Sequence, residues 1–356
     1  VCFGYFQNLR RLLFGRTVRV FNFDWRKSFF HFREPNSELS YALQVDQFQG
    51  GARAVQMVIQ ARIIKHLLFS LTELGPPEQQ GALAAALSDS LWLAGQEESA
   101  TVTMVTEDDS PKPPSEYRLD LLTEKMHTFV FNRKEELSSF LLDHIHCFQE
   151  EGGHGVVLFL YSLVCSRTID RIREDLDSST AHLLQRRLGN FALLNLLLTG
   201  RATPHVCNGT QAPGGGAAPL DPPLQGVLSR GDIGYLHWSR EQMDRDRLLQ
   251  VGSMLKTPRF PVWLCCINST YSVLFSLTRS LLSDWRTEHQ FQLFYYNGQN
   301  SQNSTARLTI THSHHWEAPS VDPGVDLEKR FPSLEMTIRT KWEGASINWG
   351  GIPPFY

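Results

Sequence analysis

The sequence predicts an α+β fold with a helix-rich first half and a strand-rich C-terminal half. Three observations predict it. Before residue 200 the apolar residues recur at helical spacing. After residue 260 they fall into short β-branched and aromatic runs separated by turn signals. The βαβα alternation of a doubly wound sheet is missing from the sequence.

Each element follows from its residues. After Gly50–Gly51, the positions Val55, Val58, Ile59, Ile63 and Leu67–Leu68 predict a mostly buried helix. Glu78–Leu93 reads as an Ala-rich helix and Ala100–Val105 as a strand of alternating Thr and Val. Glu135–Phe148 places Phe140, Leu141, Ile145 and Phe148 on one helical face. Gly155–Cys165 is a core helix, and Asn190–Leu198 is a short helix ended by Gly200. Strands are predicted over Pro261–Ile267, Tyr271–Leu277 and Gln290–Tyr296. The last of these ends at Asn297-Gly298, a hairpin signal, with Ala306–Thr311 as its partner. Leu334–Trp342 and Ala345–Trp349 read as two more strands. Two segments, 108–115 and 210–223, are rich in Pro or Gly and read as flexible loops.

Composition narrows the function classes. The 356 residues are 42% hydrophobic and 20% charged, which supplies a sizeable core and excludes wholesale disorder. Thirty-four Lys and Arg against 37 Asp and Glu give −3, which argues against nucleic acid as a partner. No apolar run reaches the ~18 residues of a membrane span, so no membrane partner is expected. The six cysteines (Cys2, Cys147, Cys165, Cys207, Cys265, Cys266) form no C-x-x-C pair. That is the usage of a reduced intracellular protein, with the cytoplasm as the expected compartment. The sequons at Asn208, Asn268 and Asn303 read as unglycosylated, and Asn268 sits inside an apolar stretch.

Metal chemistry finds little support. His312, His314 and His315 cluster, as do His144 and His146, but no Cys or carboxylate completes either set. There is no G-x-G-x-x-G and no Walker loop, and Gly214–Gly216 lacks the Lys that phosphate cradling needs. The informative feature is Gln47-Phe-Gln-Gly-Gly-Ala-Arg53-Ala-Val, a polar loop entering a buried helix. A nucleophilic cysteine gains from such a place, because the helix N-terminus stabilises a thiolate and its amides can hold an oxyanion. Here the residue is Arg53, which has no nucleophilic lone pair and sits at the wrong end of the dipole.

The chain resembles the MINDY deubiquitinases, papain-like cysteine proteases that trim ubiquitin chains, and within them the branch of the fourth member, an inactive paralogue in particular. The resemblance runs through RRLLFG (Arg10–Gly15), QFQGGARAV (Gln47–Val55), SDSLWLAG (Ser88–Gly95), NLLLTG (Asn195–Gly200), LKTPRFPVW (Leu255–Trp263), SVLFSL (Ser272–Leu277), DWRTE (Asp284–Glu288) and IRTKWEGASINW (Ile338–Trp349). It implies a papain-like fold forming one MINDY-type domain over 1–356, with 1–9 as an N-terminal extension. Active relatives carry Q-x-x-G-G-P-C-G-V at the helix start, so the resemblance implies that their nucleophile falls on Arg53 and their flanking Pro and Gly on Ala52 and Ala54. Their histidine follows C-S-E-S before an S-[VI]-L-F strand. Here the run is Cys266-Ile-Asn-Ser-Thr270, so that position is Thr270. The oxyanion glutamine falls on Gln47 and is retained.

The implied function is that of an inactive deubiquitinase homologue, with no intact catalytic residue, no metal and no organic cofactor. Its expected partner is ubiquitin or polyubiquitin joined through lysine forty-eight of ubiquitin. Acyl transfer needs a nucleophile and a base that later protonates the leaving amine, and neither Arg53 nor Thr270 can serve. One alternative is an active thiol hydrolase with a rearranged site at Cys265 or Cys266, the other a structural remnant with no ubiquitin role. Arg53 itself has two readings. Either it has drifted and its guanidinium reaches solvent, the preferred reading, or its fork holds the C-terminal carboxylate of ubiquitin. Trp285, Trp342 and Trp349 read as core or sheet-covering residues.

Overall fold

A computed structural model of the chain describes residues 3–354 except 17–18, 35–37, 46–50, 71–75, 106–125, 178–179, 185–190, 212–222 and 313–331. In chain order its helices are α1 (Phe3–Phe14), α2 (Phe23–Lys27), α3 (Gly51–Phe69), α4 (Pro76–Ala94), α5 (Lys134–Asp143), α6 (His146–Gln149), α7 (Gly155–Arg167), α8 (Ile169–Asp175), α9 (Ala192–Thr199), α10 (Arg240–Asp244), α11 (Ser253–Lys256) and α12 (Ser333–Arg339). The strands are β1 (Ala100–Val105), β2 (Met126–Phe131), β3 (Thr210–Gln211), β4 (Leu224–Gln225), β5 (Gly234–Trp238), β6 (Val262–Ile267), β7 (Thr270–Phe275), β8 (Gln290–Tyr296), β9 (Ala306–Thr311) and β10 (Ser346–Asn348). The mixed helix-and-sheet class is as expected. Two compact units divide the chain, one formed by 1–30, 83–205 and 211–226, the other by 31–82, 206–210 and 227–356.

The first unit is built around α7, every residue of which is buried. Strand β1 pairs antiparallel with β2 from Ala100↔Phe131 to Val105↔Met126. Hydroxyls of α7 meet two backbone amides of β1: Ser162 Oγ accepts from Thr103 N at 2.8 Å and Ser166 Oγ from Thr101 N at 2.9 Å. The one helix expected over Glu135–Phe148 is two, broken after Asp143. His144 stacks on Phe140, and its Nδ1 competes at 2.9 Å for the Phe140 carbonyl that its own backbone N–H also uses. The predicted helix end at Gly200 holds, with φ at +76° and its N–H on Leu196 O. The segment 108–115 lies outside the described residues, as do 212–222 of the second loop. Thr210–Gln211, at the start of that loop, forms a short strand. Of the N-terminal stretch 1–9, residues from Phe3 belong to α1.

The second unit carries a six-stranded sheet in the order β10-β9-β8-β7-β6-β5, with β5–β6 parallel and every other pair antiparallel. Strand β5 is absent from the sequence expectations, because five buried residues in a row carry no periodicity. Leu334–Trp342 is not a strand. Leu334, Ile338 and Trp342 recur at intervals of four, all are buried, and α12 sets Leu334 and Ile338 into one apolar cluster with Trp263, Cys265 and Leu274. A Glu335–Arg339 pair at 2.9 Å, four residues apart, supports the helix. The Asn297-Gly298 signal marks a real turn, but β8 and β9 are joined by 297–305 rather than by a two-residue loop. Gln302 fastens this connection, accepting from Asn297 N and donating to Tyr295 O and Ser304 O.

Candidate functional site

The helix predicted to open after the diglycine is α3, and Arg53 is its third residue. α3 is buried on nearly all sides, its polar Gln56, Gln60, Arg62 and Lys65 included. Gln60 fixes the segment beside it by donating to Tyr41 O and accepting from Leu43 N, and the Tyr296 hydroxyl donates to Leu43 O. Gln47 lies outside the described residues.

Arg53 does not reach solvent. It is 4% exposed, and its Nη2 donates to Asn297 O and, at 3.3 Å, to Tyr271 O. The snorkelling expectation is therefore overturned: the guanidinium ties the start of α3 to β7 and to the turn after β8. Burial pushes its pKa below the ordinary arginine value, while Tyr295 and Tyr296 act in the opposite sense. Gly298, with φ at +73°, lets the turn pass close by; a Cβ there would stand 3.3 Å from Arg53 Nη2 and 3.1 Å from Met57 Sδ. Arg33 holds the rest of the turn, donating to Gln302 O at 2.7 Å and Asn300 O at 3.2 Å.

Thr270 opens β7 directly after a two-residue turn at Asn268 and Ser269, where φ is +47° and +67°. Asn268 is exposed on that turn rather than enclosed by the apolar run; its amide accepts from Arg240 N at 2.9 Å and donates to Ser333 Oγ at 3.1 Å. Because Arg53 bonds the carbonyl of Tyr271, its guanidinium reaches the neighbour of Thr270, although the two positions singled out in sequence are 217 residues apart.

The thiols of β6 are a different environment. Cys265 is 0% exposed within the apolar cluster, and burial pushes its pKa far above the usual thiol value. Cys266, paired with Tyr271 and in register with His237 of β5, is pushed up to about 11, chiefly by burial. His237 is an imidazole that sequence reasoning missed, since only the parallel β5–β6 pairing brings it near. The Tyr235 hydroxyl bonds Cys266 and lies 3.1 Å from His237 Nδ1, while His237 Nε2 lies 3.1 Å from Gln242 Oε1. Burial also lowers the His237 pKa. Both shifts favour a neutral thiol beside a neutral imidazole, the opposite of an activated thiolate–imidazolium pair. In the folded chain, iodoacetamide near pH 8 is therefore expected to label the partly exposed Cys147 and Cys207 before Cys265 and Cys266. Peptide mass spectrometry checks the order, and early labelling of Cys266 contradicts it.

Trp342 and Trp349 are buried, as expected, at 1% and 7% exposure, but Trp285 is 69% exposed with Arg286 and His289 against its ring. It covers no sheet. Of the histidine clusters, His314 and His315 lie outside the described residues. No group of three or more His, Cys, Asp or Glu among the described residues is arranged to hold a metal. No helix among them is long and apolar enough to cross a membrane.

The model of "Deubiquitinating enzyme MINDY-3/4, conserved domain" matches residues 10–351. "Probable ubiquitin carboxyl-terminal hydrolase MINDY-4" of Mus musculus is 35% identical over 98% of this chain and 46% of its own length. The Homo sapiens protein of the same name is 36% identical over 98% of this chain and 45% of its own. "Ubiquitin carboxyl-terminal hydrolase MINDY-3" of Danio rerio is 27% identical over 70% of this chain and 61% of its own. The chain thus spans just under half the length of the MINDY-4 relatives. No solved structure gives a significant match. Model and relatives agree across almost the whole sequence, and the chain belongs to the MINDY-3/4 deubiquitinating-enzyme family.

Proposed function

We propose that this chain is a non-hydrolysing member of its family, a papain-like domain over 1–356 that engages ubiquitin or lysine-forty-eight-linked polyubiquitin without cutting it. One observation carries the reading: where a thiol nucleophile is needed, α3 presents Arg53, its guanidinium buried and donating to Asn297 O and Tyr271 O. Attack on an isopeptide carbonyl requires a lone pair, and the leaving amine requires a proton. Arg53 supplies no lone pair, and Thr270 does not titrate near neutrality. The oxyanion position Gln47 can polarise a carbonyl but cannot cleave it. The buried Arg53 also argues against a fork for the ubiquitin C-terminus, because Nη2 already serves two backbone carbonyls. The proposed cleft lies between the start of α3 and the turn before β7, and the intracellular setting follows that of an enzyme family acting on ubiquitin.

The test is direct. Purified chain mixed with lysine-forty-eight-linked tetraubiquitin is expected to leave it intact and to bind it saturably by calorimetry. Shortened chains on a gel would contradict the first half. No heat of binding to mono-ubiquitin or any linkage would contradict the second and favour a structural remnant.

A further inference from the structure

The first unit holds a cavity of about 240 Å³ between the last turn of α1 and the segment beginning with α8. Arg11 and Arg173 line it from the last turns of their two helices, together with Thr180, Asp177, Leu12 and Leu176. Basic residues favour helix C-terminal ends for reasons of their own. Here, however, two such ends each contribute an arginine to the lining of the same hollow, together with a threonine and two leucines.

The charges indicate what fits. Among the described residues Arg173 pairs with Asp170, at 3.4 Å, with the two side chains 47% and 89% exposed, an ion pair that water screens and a ligand can outcompete. The carboxylate of Asp177 is 6% exposed and lies 2.9 Å from His205 Nε2. With Asp170 outside the lining but paired to Arg173, two arginines and one aspartate line the hollow, a formal charge of +1. A monoanion balances it, whereas a phosphate dianion would overshoot and face Asp177. A planar carboxylate also matches the guanidinium fork. At ~30 Å³ per water, the volume is the room of about eight waters, hence of a molecule of about eight heavy atoms.

We propose that this cavity binds a small aliphatic carboxylate, its oxygens held by Arg11 and Arg173 and its hydrocarbon part lying against Leu12 and Leu176. The same chemistry is offered by a free organic acid and by the C-terminus of a short peptide. The site is independent of the cleft around Arg53 and does not rest on a ubiquitin-related function.

Hexanoate, hexanamide, inorganic phosphate and an acetylated dipeptide with a free carboxylate are titrated into the full chain, followed by amide chemical shifts. Hexanoate is expected to saturate with a dissociation constant of about 1 mM or tighter, shifting residues of α1 and α8, and hexanamide to bind at least about tenfold more weakly. Arg11→Gln and Arg173→Gln are each expected to weaken hexanoate about tenfold. Unliganded melting of each variant controls for folding. The Arg→Lys replacements, which keep the charge and lose the fork, are expected to fall between. A dipeptide that outcompetes hexanoate assigns a chain terminus as the source, and the reverse order assigns a free acid. Equal binding of hexanoate and hexanamide, phosphate binding tighter than hexanoate, or glutamine variants that bind like the parent would overturn the proposal.

Discussion

Arg53→Cys combined with Thr270→His is expected to cut polyubiquitin at least about a hundredfold faster than either single variant. Position 53 belongs to α3. Its third residue lies in the first turn, where the helix N-terminus favours an anion, so a thiol introduced there ionises more readily than the buried Cys265 or Cys266. Arg53 Nη2 already reaches the carbonyl of Tyr271, so the replaced residues lie together around one point. A nucleophile without a base gains little, nor does a base without a nucleophile, because members of such a unit act non-additively. The double variant also loses a donor: Tyr271 O and Asn297 O no longer receive Arg53, at a cost of about 1–3 kcal/mol. Urea unfolding therefore accompanies the assay. A folded double variant no faster than the singles would mean that the defect extends beyond these two positions.

Asp175→Ala is expected to destabilise the first unit by about 3–5 kcal/mol. Asp175 receives Arg167 Nε at 2.8 Å and Nη2 at 2.7 Å, a fork closed on both carboxylate oxygens, and its Oδ2 also accepts from Ala202 N at 2.9 Å. The two side chains are 3% and 5% exposed. Removing the carboxylate leaves a cation in the interior with no compensating charge and the Ala202 amide unmet. Replacing both partners, Arg167→Met with Asp175→Leu, removes the charge along with its partner and should cost far less. The urea midpoint of the affected transition measures both, provided its slope is unchanged. A midpoint for Asp175→Ala within about 0.5 kcal/mol of the parent would show that the pair is dispensable.

The sequence was most legible where one rule acted alone. The mostly buried α3, the fully buried α7, the Gly200 stop and β8 follow from the spacing of apolar residues, glycine chemistry and β-branched or aromatic content. It misled where two periods overlapped: Leu334–Trp342 contains both an alternating pattern and a spacing of four, and packing against Trp263 decided for the helix. The positions of Arg53 and Thr270 were legible through motif resemblance, but the fate of the guanidinium was not. Its acceptors are backbone carbonyls of residues far along the chain, and a carbonyl leaves no mark in a sequence. The proximity of His237 to Cys266 was hidden for a related reason, since parallel pairing of β5 and β6 has no local signature. Exposure of Trp285 depends on the irregular link between β7 and β8, whose two short 3-10 turns no periodicity predicts.

The most direct measurement is intact mass spectrometry of the unmodified chain after incubation with ubiquitin bearing a thiol-reactive electrophile at its C-terminus. With Arg53 at the proposed nucleophile position and Cys265 and Cys266 held as buried neutral thiols, the mass is predicted to remain that of the chain alone, while an active MINDY-family enzyme in parallel gains one ubiquitin. A stoichiometric adduct, mapped to Cys266 or to any other cysteine of this chain, would contradict the account.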